Sequence, residues 1–397
     1  MNFIFISPDF PETYYKFCVE LKKRGVTVLG ISQTPYDSLR KELKDSLTEY
    51  YRVNNMESYE EMYKAVAFFS FKYGHIDYIE SNNEYWLEQD AKLREDFNIN
   101  TGKKYADMAP FKSKEAMKKY YKIAGVKTAR YHISKDLNSD LSFIKKVRYP
   151  IIAKPDNGVG AQKTYKIKTI DDLKKFYEIK DNRKYIMEEF IEGELISFDG
   201  IVDSSSTPVF SSYEVFPRQA IDIVNDLEDD FYYSSPIMPD DLKDAGERVL
   251  KSFKAKSRWF HLEFFRLTHD HKYLGKKGTI IGLEVNMRAP GGNTPDMINW
   301  ANSVDTYKIW ADTIVYDKTN ENLNLNKYYC VTYGRRDFKH YIHNEQDIRN
   351  EFKEHILDHR RMPKILSDDM GDDCWYAKFD NIEDVYKFME YLKGTTD

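Results

Sequence analysis

The sequence predicts an α/β protein: an open parallel sheet flanked by helices, then a largely antiparallel sheet, then a small α+β C-terminal piece. Three observations carry this. Over residues 2–100, short apolar runs alternate with helical stretches, the pattern of βαβ units. Residues 184–320 read mostly as strands and hairpins. Within them, residues 283–288 alternate so strictly that Glu284, Asn286 and Arg288 fall on one face of a strand.

In chain order, residues 2–7 form a strand, 11–24 a helix with Pro11 in its first turn and Gly25 as its stop, and 26–31 the next strand. A helix at 58–73, a strand at 76–80 and a helix at 82–97 continue the pattern. No GxGxxG follows the first strand, so a dinucleotide reading of this lobe has little support. A second lobe carries a helix at 114–124 closed by Gly125, strands at 149–154 and 165–167, and a helix at 171–177. Strands at 209–216, 259–265 and 283–288 follow, the last two joined through the polar, glycine-bounded segment 269–278. If those two pair, Glu263 lies beside Glu284. Thr294 reads as the cap of a helix with Pro295 at its first position, another helix begins at Asp305, and the tail ends in a helix at 382–392. The expected units are 1–109, 110–187 (a lid), 188–322 and 323–397.

With 397 residues, 41% of them hydrophobic, the chain can bury a sizeable core. Its 60 Lys+Arg against 65 Asp+Glu, without long like-charge blocks, suggest neither nucleic acid nor an anionic membrane as main partner. A small-molecule ligand and a cytoplasmic setting are expected, with a homodimer allowed as its assembly. Cys18, Cys330 and Cys374 are an odd number, far apart and without CxxC spacing, so neither a disulfide framework nor a zinc site is indicated.

Two carboxylates and an amide oxygen on a rigid sheet are the hard oxygen ligands that Mg²⁺ takes beside substrate phosphates, and Arg288 is left for an anion. Phosphoryl chemistry is the expectation. Lys154 ends a strand, and Gly158 and Gly160 beyond it let backbone N–H groups turn toward a phosphate. The same segment also suits an ordinary hairpin turn. Gly291 and Gly292 precede the helix at Pro295, whose free N–H groups form a candidate site for a substrate carboxylate, with Arg218 as a further candidate contact. His261 alternates with Glu263 and reads either as its partner or as a half-buried core histidine. His355 and His359, at i, i+4, read as a polar helix face rather than a zinc site, because no third ligand is evident.

Four segments together resemble the ATP-grasp superfamily. They are Lys114-Glu115-Ala116-Met117 running to Ala124-Gly125-Val126, Tyr149 to Pro155 with the glycine loop, Met187-Glu188-Glu189-Phe190-Ile191-Glu192-Gly193, and His261-Leu262-Glu263-Phe264 with Glu284-Val285-Asn286-Met287-Arg288. The resemblance covers roughly residues 1–320. It implies ATP bound by Lys114, Lys154, Gly158, Gly160 and a hinge at Glu188, Glu189, Phe190 and Ile191. It also implies Mg²⁺, or Mn²⁺ in its place, on Glu263, Glu284 and Asn286, with Lys154 and Arg288 catalytic. One position departs: the family's ribose-binding glutamate falls on Leu195, with Glu194 one residue earlier, so Glu194 can serve only if a bulge shifts the strand. The implied activity is that of a carboxylate–amine ligase of the biotin-carboxylase-like branch, similar to L-amino acid ligases, forming an amide through an acyl phosphate. Bicarbonate-activating and purine-pathway enzymes, and a non-catalytic nucleotide binder, are the alternatives.

Overall fold

Parallel strands open the chain: β1 (Asn2–Ile6), β2 (Thr27–Ser32), β3 (Glu49–Arg52) and β4 (Tyr78–Glu80), in the order β3-β2-β1-β4. Phe3 to Ile6 are wholly buried because both faces of this sheet are covered, as a parallel sheet requires. One face packs Ile4, Ile6, Leu29 and Ile31 against Met62, Val66 and Phe69 of the helix Tyr59–Tyr73. The other packs Phe3 and Phe5 against Phe17 of the helix Tyr15–Lys23 and Trp310 of the helix Thr306–Tyr316. The second contact joins the lobe to the rest of the molecule.

The structure, a computed structural model, describes residues 1–158, 163–217 and 228–396. The short strand β5 (Lys127–Thr128) is followed by a four-stranded sheet of β6 (Tyr131–Ile133), β7 (Ile151–Pro155), β8 (Tyr165–Ile167) and β9 (Tyr185–Glu189), ordered β6-β9-β7-β8. Then come β10 (Gly193–Val202), β11 (Pro208–Phe216), β12 (Asp230–Ser234), β13 (Arg258–Leu267), β14 (Ile280–Asn286), β15 (Tyr329–Arg335), β16 (Ile356–Arg361) and β17 (Asp373–Phe379). With β5 these make one nine-stranded sheet, ordered β16-β17-β15-β12-β11-β10-β13-β14-β5. The C-terminal strands therefore extend the same sheet that carries Glu263 and Glu284, and β9 runs across the expected boundary at 187/188.

Two local expectations are corrected, and one strand appears that the sequence reading did not name. The helix expected from residue 82 begins at Leu87, because Asn82 adopts φ 53° and the Asp90 carboxylate holds Ser81 through its N–H (3.0 Å) and hydroxyl (2.6 Å). The segment between is thus a loop at the end of β4, and it carries Glu84. His355 precedes β16 and His359 lies in it, stacked on Trp375 at 3.8 Å, so neither is helical. β3 is an edge strand of four residues, too short to show a period.

Candidate active site

β13 and β14 pair antiparallel with Glu263 directly opposite Glu284 and His261 opposite Asn286. The register then slips between Glu263 and Phe264, leaving Leu283 as the extra residue of a bulge. Bulges re-aim side chains beside sites of this kind. Each carboxylate is held through one oxygen: His261 Nε2 lies 3.1 Å from Glu263 Oε1, and Lys114 Nζ lies 3.0 Å from Glu284 Oε1. Asn286 makes no side-chain hydrogen bond with the described residues. Two half-engaged carboxylates and a free amide oxygen are a donor set that fits Mg²⁺. No group of three or more His, Cys, Asp or Glu side chains arranged for a metal occurs among the described residues.

His261 uses both ring nitrogens, Nδ1 bonding the buried Asp199. Burial disfavours its cation, but the two flanking carboxylates raise its pKa to about 10, so it is an imidazolium bridging Asp199 and Glu263. Of the two readings open in the sequence, the partner reading describes it. Burial likewise opposes charge on Glu263, yet the His261 bond and the Arg288 and Lys154 charges leave its carboxyl below the ordinary range.

The helix Lys114–Ile123 starts at Ser113, whose hydroxyl accepts from the Ala116 N–H at 3.2 Å. Lys114 and Lys118, one turn apart, therefore share a face. Lys118 pairs with Glu188 Oε1, and Lys154 at the end of β7 reaches Glu188 Oε2 at 2.8 Å. Burial alone would raise the Glu188 carboxyl; the paired lysines bring it down to about 2. On Lys154, burial opposes the charge, but Glu188 and Glu284 hold the ammonium above its ordinary range. Beyond Glu188, the backbones of Phe190 and Ile191, two residues of the expected hinge, make no hydrogen bonds with the described residues. Glu189 differs. Its carboxylate is taken by the Arg130 N–H and Nε, both at 2.7 Å, which pins β9 to the residue before β6.

A cavity of about 210 Å³ gathers these groups: Lys114, Lys154, Glu188, Glu189, Phe190, Ile191, Glu263, Glu284, Asn286 and Arg288 all line it. Ala129, Ile152, Leu195 and Phe265 supply an apolar end. At the other end, Arg288 Nη1 donates to the Ala289 carbonyl at 2.8 Å and Nε lies 3.5 Å from Glu84, which also receives Lys112 at 2.8 Å. Gly291 and Gly292 follow Arg288 but do not line the cavity. Gly292 has φ +57°, which L side chains rarely adopt, and a Cβ there would have to displace the end of the Met370 side chain. The helix cap falls on Asn293 rather than Thr294, and the Asn293 side chain instead binds Tyr376 and Arg360.

Other expected residues are not brought in. Gly158 lies in the loop after β7 and is not part of the cavity lining, while Gly160 and Arg218 lie outside the described residues. Glu194 is exposed on the opposite face of β10, opposite Arg266. The β10–β13 register is unbroken from Gly193 to Val202, so no bulge turns Glu194 round, and Leu195 takes the cavity face. Sequence reasoning missed Lys118, Glu84 and Asp199. The i, i+4 spacing from Lys114 was a usable signal for the first; Glu84 and Asp199 had none.

This arrangement of a parallel N-terminal lobe, a four-stranded second sheet and a large sheet with paired carboxylates is the ATP-grasp fold. The chain superposes on the crystal structure of an L-amino acid ligase from Bacillus licheniformis with a TM-score of 0.71, covering 98% of this chain and 96% of that one at 12% identity. It also matches N5-carboxyaminoimidazole synthetase from Staphylococcus aureus complexed with ADP, with a TM-score of 0.68 over 98% and 96% of the two chains at 15% identity. In sequence it is 25% identical over 263 residues to the L-arginine-specific L-amino acid ligase of Bacillus subtilis, covering 64% of this chain and 61% of that protein. A second match, 34% identical over 109 residues, is to phosphoribosylamine–glycine ligase of Clostridium acetobutylicum and covers 25% of each. The matched parts thus fall short of two thirds of either relative's length. No family model matches the chain.

Proposed function

We propose that the chain is an ATP-dependent carboxylate–amine ligase. The observation that carries this is the cross-strand pair Glu263 and Glu284, gathered with Lys114, Lys154 and Arg288 in one cavity whose other end is apolar and rimmed by unbonded hinge backbone. ATP is the substrate that such a cavity suits. Ala129, Ile152, Ile191, Leu195 and Phe265 would grip the adenine, and the free groups of Phe190 and Ile191 would read its edge. Lys114 and Lys154 would hold the phosphates. Glu263, Glu284 and Asn286 would hold Mg²⁺, which when bound neutralises charge on the transferring phosphoryl group.

A carboxylate oxygen of the first substrate attacks the γ-phosphorus and ADP leaves, giving an acyl phosphate. The amine nitrogen of the second substrate then attacks the acyl carbon, phosphate leaves, and the nitrogen loses a proton to give the amide. Arg288 stabilises the negative charge that grows in both steps. The likeness to the amino acid ligases favours amino-acid substrates and a dipeptide-like product.

The test incubates purified protein with ATP, Mg²⁺ and pooled amino acids, reading phosphate release and new masses, beside a parallel reaction with bicarbonate. Phosphate release with a new amide mass is expected. Stimulation by bicarbonate alone, with no amide, would reject the reading.

A further inference from the structure

A second cavity of about 210 Å³ lies where β4 and residues 100–102 meet the start of β13, lined in part by Glu80, Gly102, Lys256, Ser257 and Arg258. Two buried arginines lie at it. Arg258, 5% exposed, lines the cavity directly. Arg94, 1% exposed, sits against the wall: it donates to the Ile79 carbonyl at 2.6 Å, and a Cβ on Gly102 would come within 3.0 Å of its Nε.

Positive charge is in excess here. Both guanidiniums share the Glu80 carboxylate, at 2.9 Å from Arg258 and 3.9 Å from Arg94. The Arg94 Nη2 is buried without a hydrogen-bond partner, an orphaned donor of the sort that calls for an explanation. Asp90, beside Arg94, offsets it only in part, since burial and Glu80 raise its carboxyl to about 7. At the rim Lys256 is exposed and makes no ion pair among the described residues. Lys103 sits close enough to this group that, after its own burial, the charges of Arg258, Lys254 and Lys256 push its ammonium below the ordinary range, with Asp107 opposing. Two acids lie near the lining Tyr78: Asp317 is engaged by the Ser204 N–H at 2.8 Å and by its hydroxyl, and Asp77 accepts from the Asn2 N–H at 2.7 Å.

We propose that this cavity binds a phosphate-sized dianion, free or as the phosphate monoester of a small metabolite, held by Arg258 and Lys256, with the buried Arg94 charge behind the wall adding to the attraction. The Arg258 guanidinium, which shares its one carboxylate with Arg94, offers planar donors suited to phosphate oxygens, and Lys256 supplies the point charge. The site has a route to the candidate active site: Arg258 Nε donates to the Met287 carbonyl at 2.9 Å, one residue before Arg288. An anion that draws on Arg258 would therefore be felt where Arg288 is anchored.

Calorimetric titration of the full chain with inorganic phosphate, and separately with glycerol phosphate, tests this in wild type, Lys256→Glu and Arg288→Ala. Saturable binding is expected in wild type and in Arg288→Ala, and at least ~10-fold weaker binding in Lys256→Glu, about 1.4 kcal/mol. Lys256 is exposed, so its variant folds, and circular dichroism checks it. Tighter binding of the monoester would identify a metabolite as the source, and tighter inorganic phosphate the free ion. Absence of binding in wild type, wild-type affinity in Lys256→Glu, or loss of binding in Arg288→Ala would each overturn the proposal, the last by assigning the anion to the front cavity.

Discussion

The two cavities have similar volumes, about 210 Å³ each, but opposite charge economies. At the front cavity the lining Lys114, Lys154 and Arg288, and Lys118 beside them, each meet a carboxylate: Glu284, Glu188, Glu84 and Glu188 respectively. In the rear cavity Arg94 and Arg258 share Glu80, and Lys256 has no ion-pair partner among the described residues. A balanced site gains little from a bare anion, since each phosphate oxygen must first displace a carboxylate. It suits a polyanion that arrives with a divalent cation, because the carboxylates released by the lysines can then take the metal. An unbalanced site suits the anion alone.

The sharpest way to break this contrast is Glu284→Gln, which removes charge from the proposed metal ligand and frees Lys114. Turnover measured as phosphate release is expected to fall ~10²–10³-fold with an unchanged fold, and near wild-type turnover would reject the metal assignment. Lys154→Ala removes a phosphate contact but also leaves Glu188 with Lys118 alone. Nucleotide affinity by calorimetry is expected to weaken by about 1.5–3 kcal/mol; a change under about twofold, 0.4 kcal/mol, would take Lys154 out of the site. A third variant probes how Glu263 is aimed. Asp199→Asn leaves every cavity residue in place but weakens the hold on His261, so activity at saturating ATP is expected to drop ~10–100-fold and to recover partly with added Mg²⁺; an unaltered Mg²⁺ dependence would argue that Asp199 only fills space.

Behind Asp199 lies Glu214, wholly buried, whose carboxyl is raised to about 8 first by burial and then by Asp199. Between its ordinary pKa and about 8 the native state holds a proton that the unfolded state has lost, so stability falls as pH rises across that window. Glu214→Gln is expected to stabilise the protein more at about pH 8 than at about pH 5, read from urea midpoints. Equal gains at both would show that Glu214 does not titrate there. The smallest effect is expected for Leu195→Glu, which places an acid on the cavity face of β10. Tighter nucleotide binding by about threefold, near 0.6 kcal/mol, would mark the leucine as the missing ribose contact, whereas weaker binding would mean that its apolar surface grips the base.

Much of the front cavity was legible in the amino-acid sequence because its signals are local. A period of two places Glu284 and Asn286 on one side of β14 and Leu195 and Glu194 on opposite sides of β10, whatever the rest of the chain does. Hydrophobic alternation, a strand-ending Lys154 and the Gly25 and Gly125 stops likewise need only neighbouring residues. The rear cavity had no such signal. Its members come from residues 80, 94, 102, 256 and 258, and no motif links them.

By itself the sequence determined the strand faces, the helix limits set by caps and glycines, and most of the segments that converge on the front cavity. Only the tertiary structure decided which carboxylate answers which cation. Lys118 with Glu188 and Arg258 with Glu80 are separated by 70 and 178 residues. Such pairs depend on how the four-stranded second sheet and the N-terminal lobe seat against the large sheet, and charge acts through space with no period along the chain. The Leu283 bulge and the loop that delivers Glu84 were decided in the same way, by where β13 and Asp90 hold the backbone rather than by local propensity.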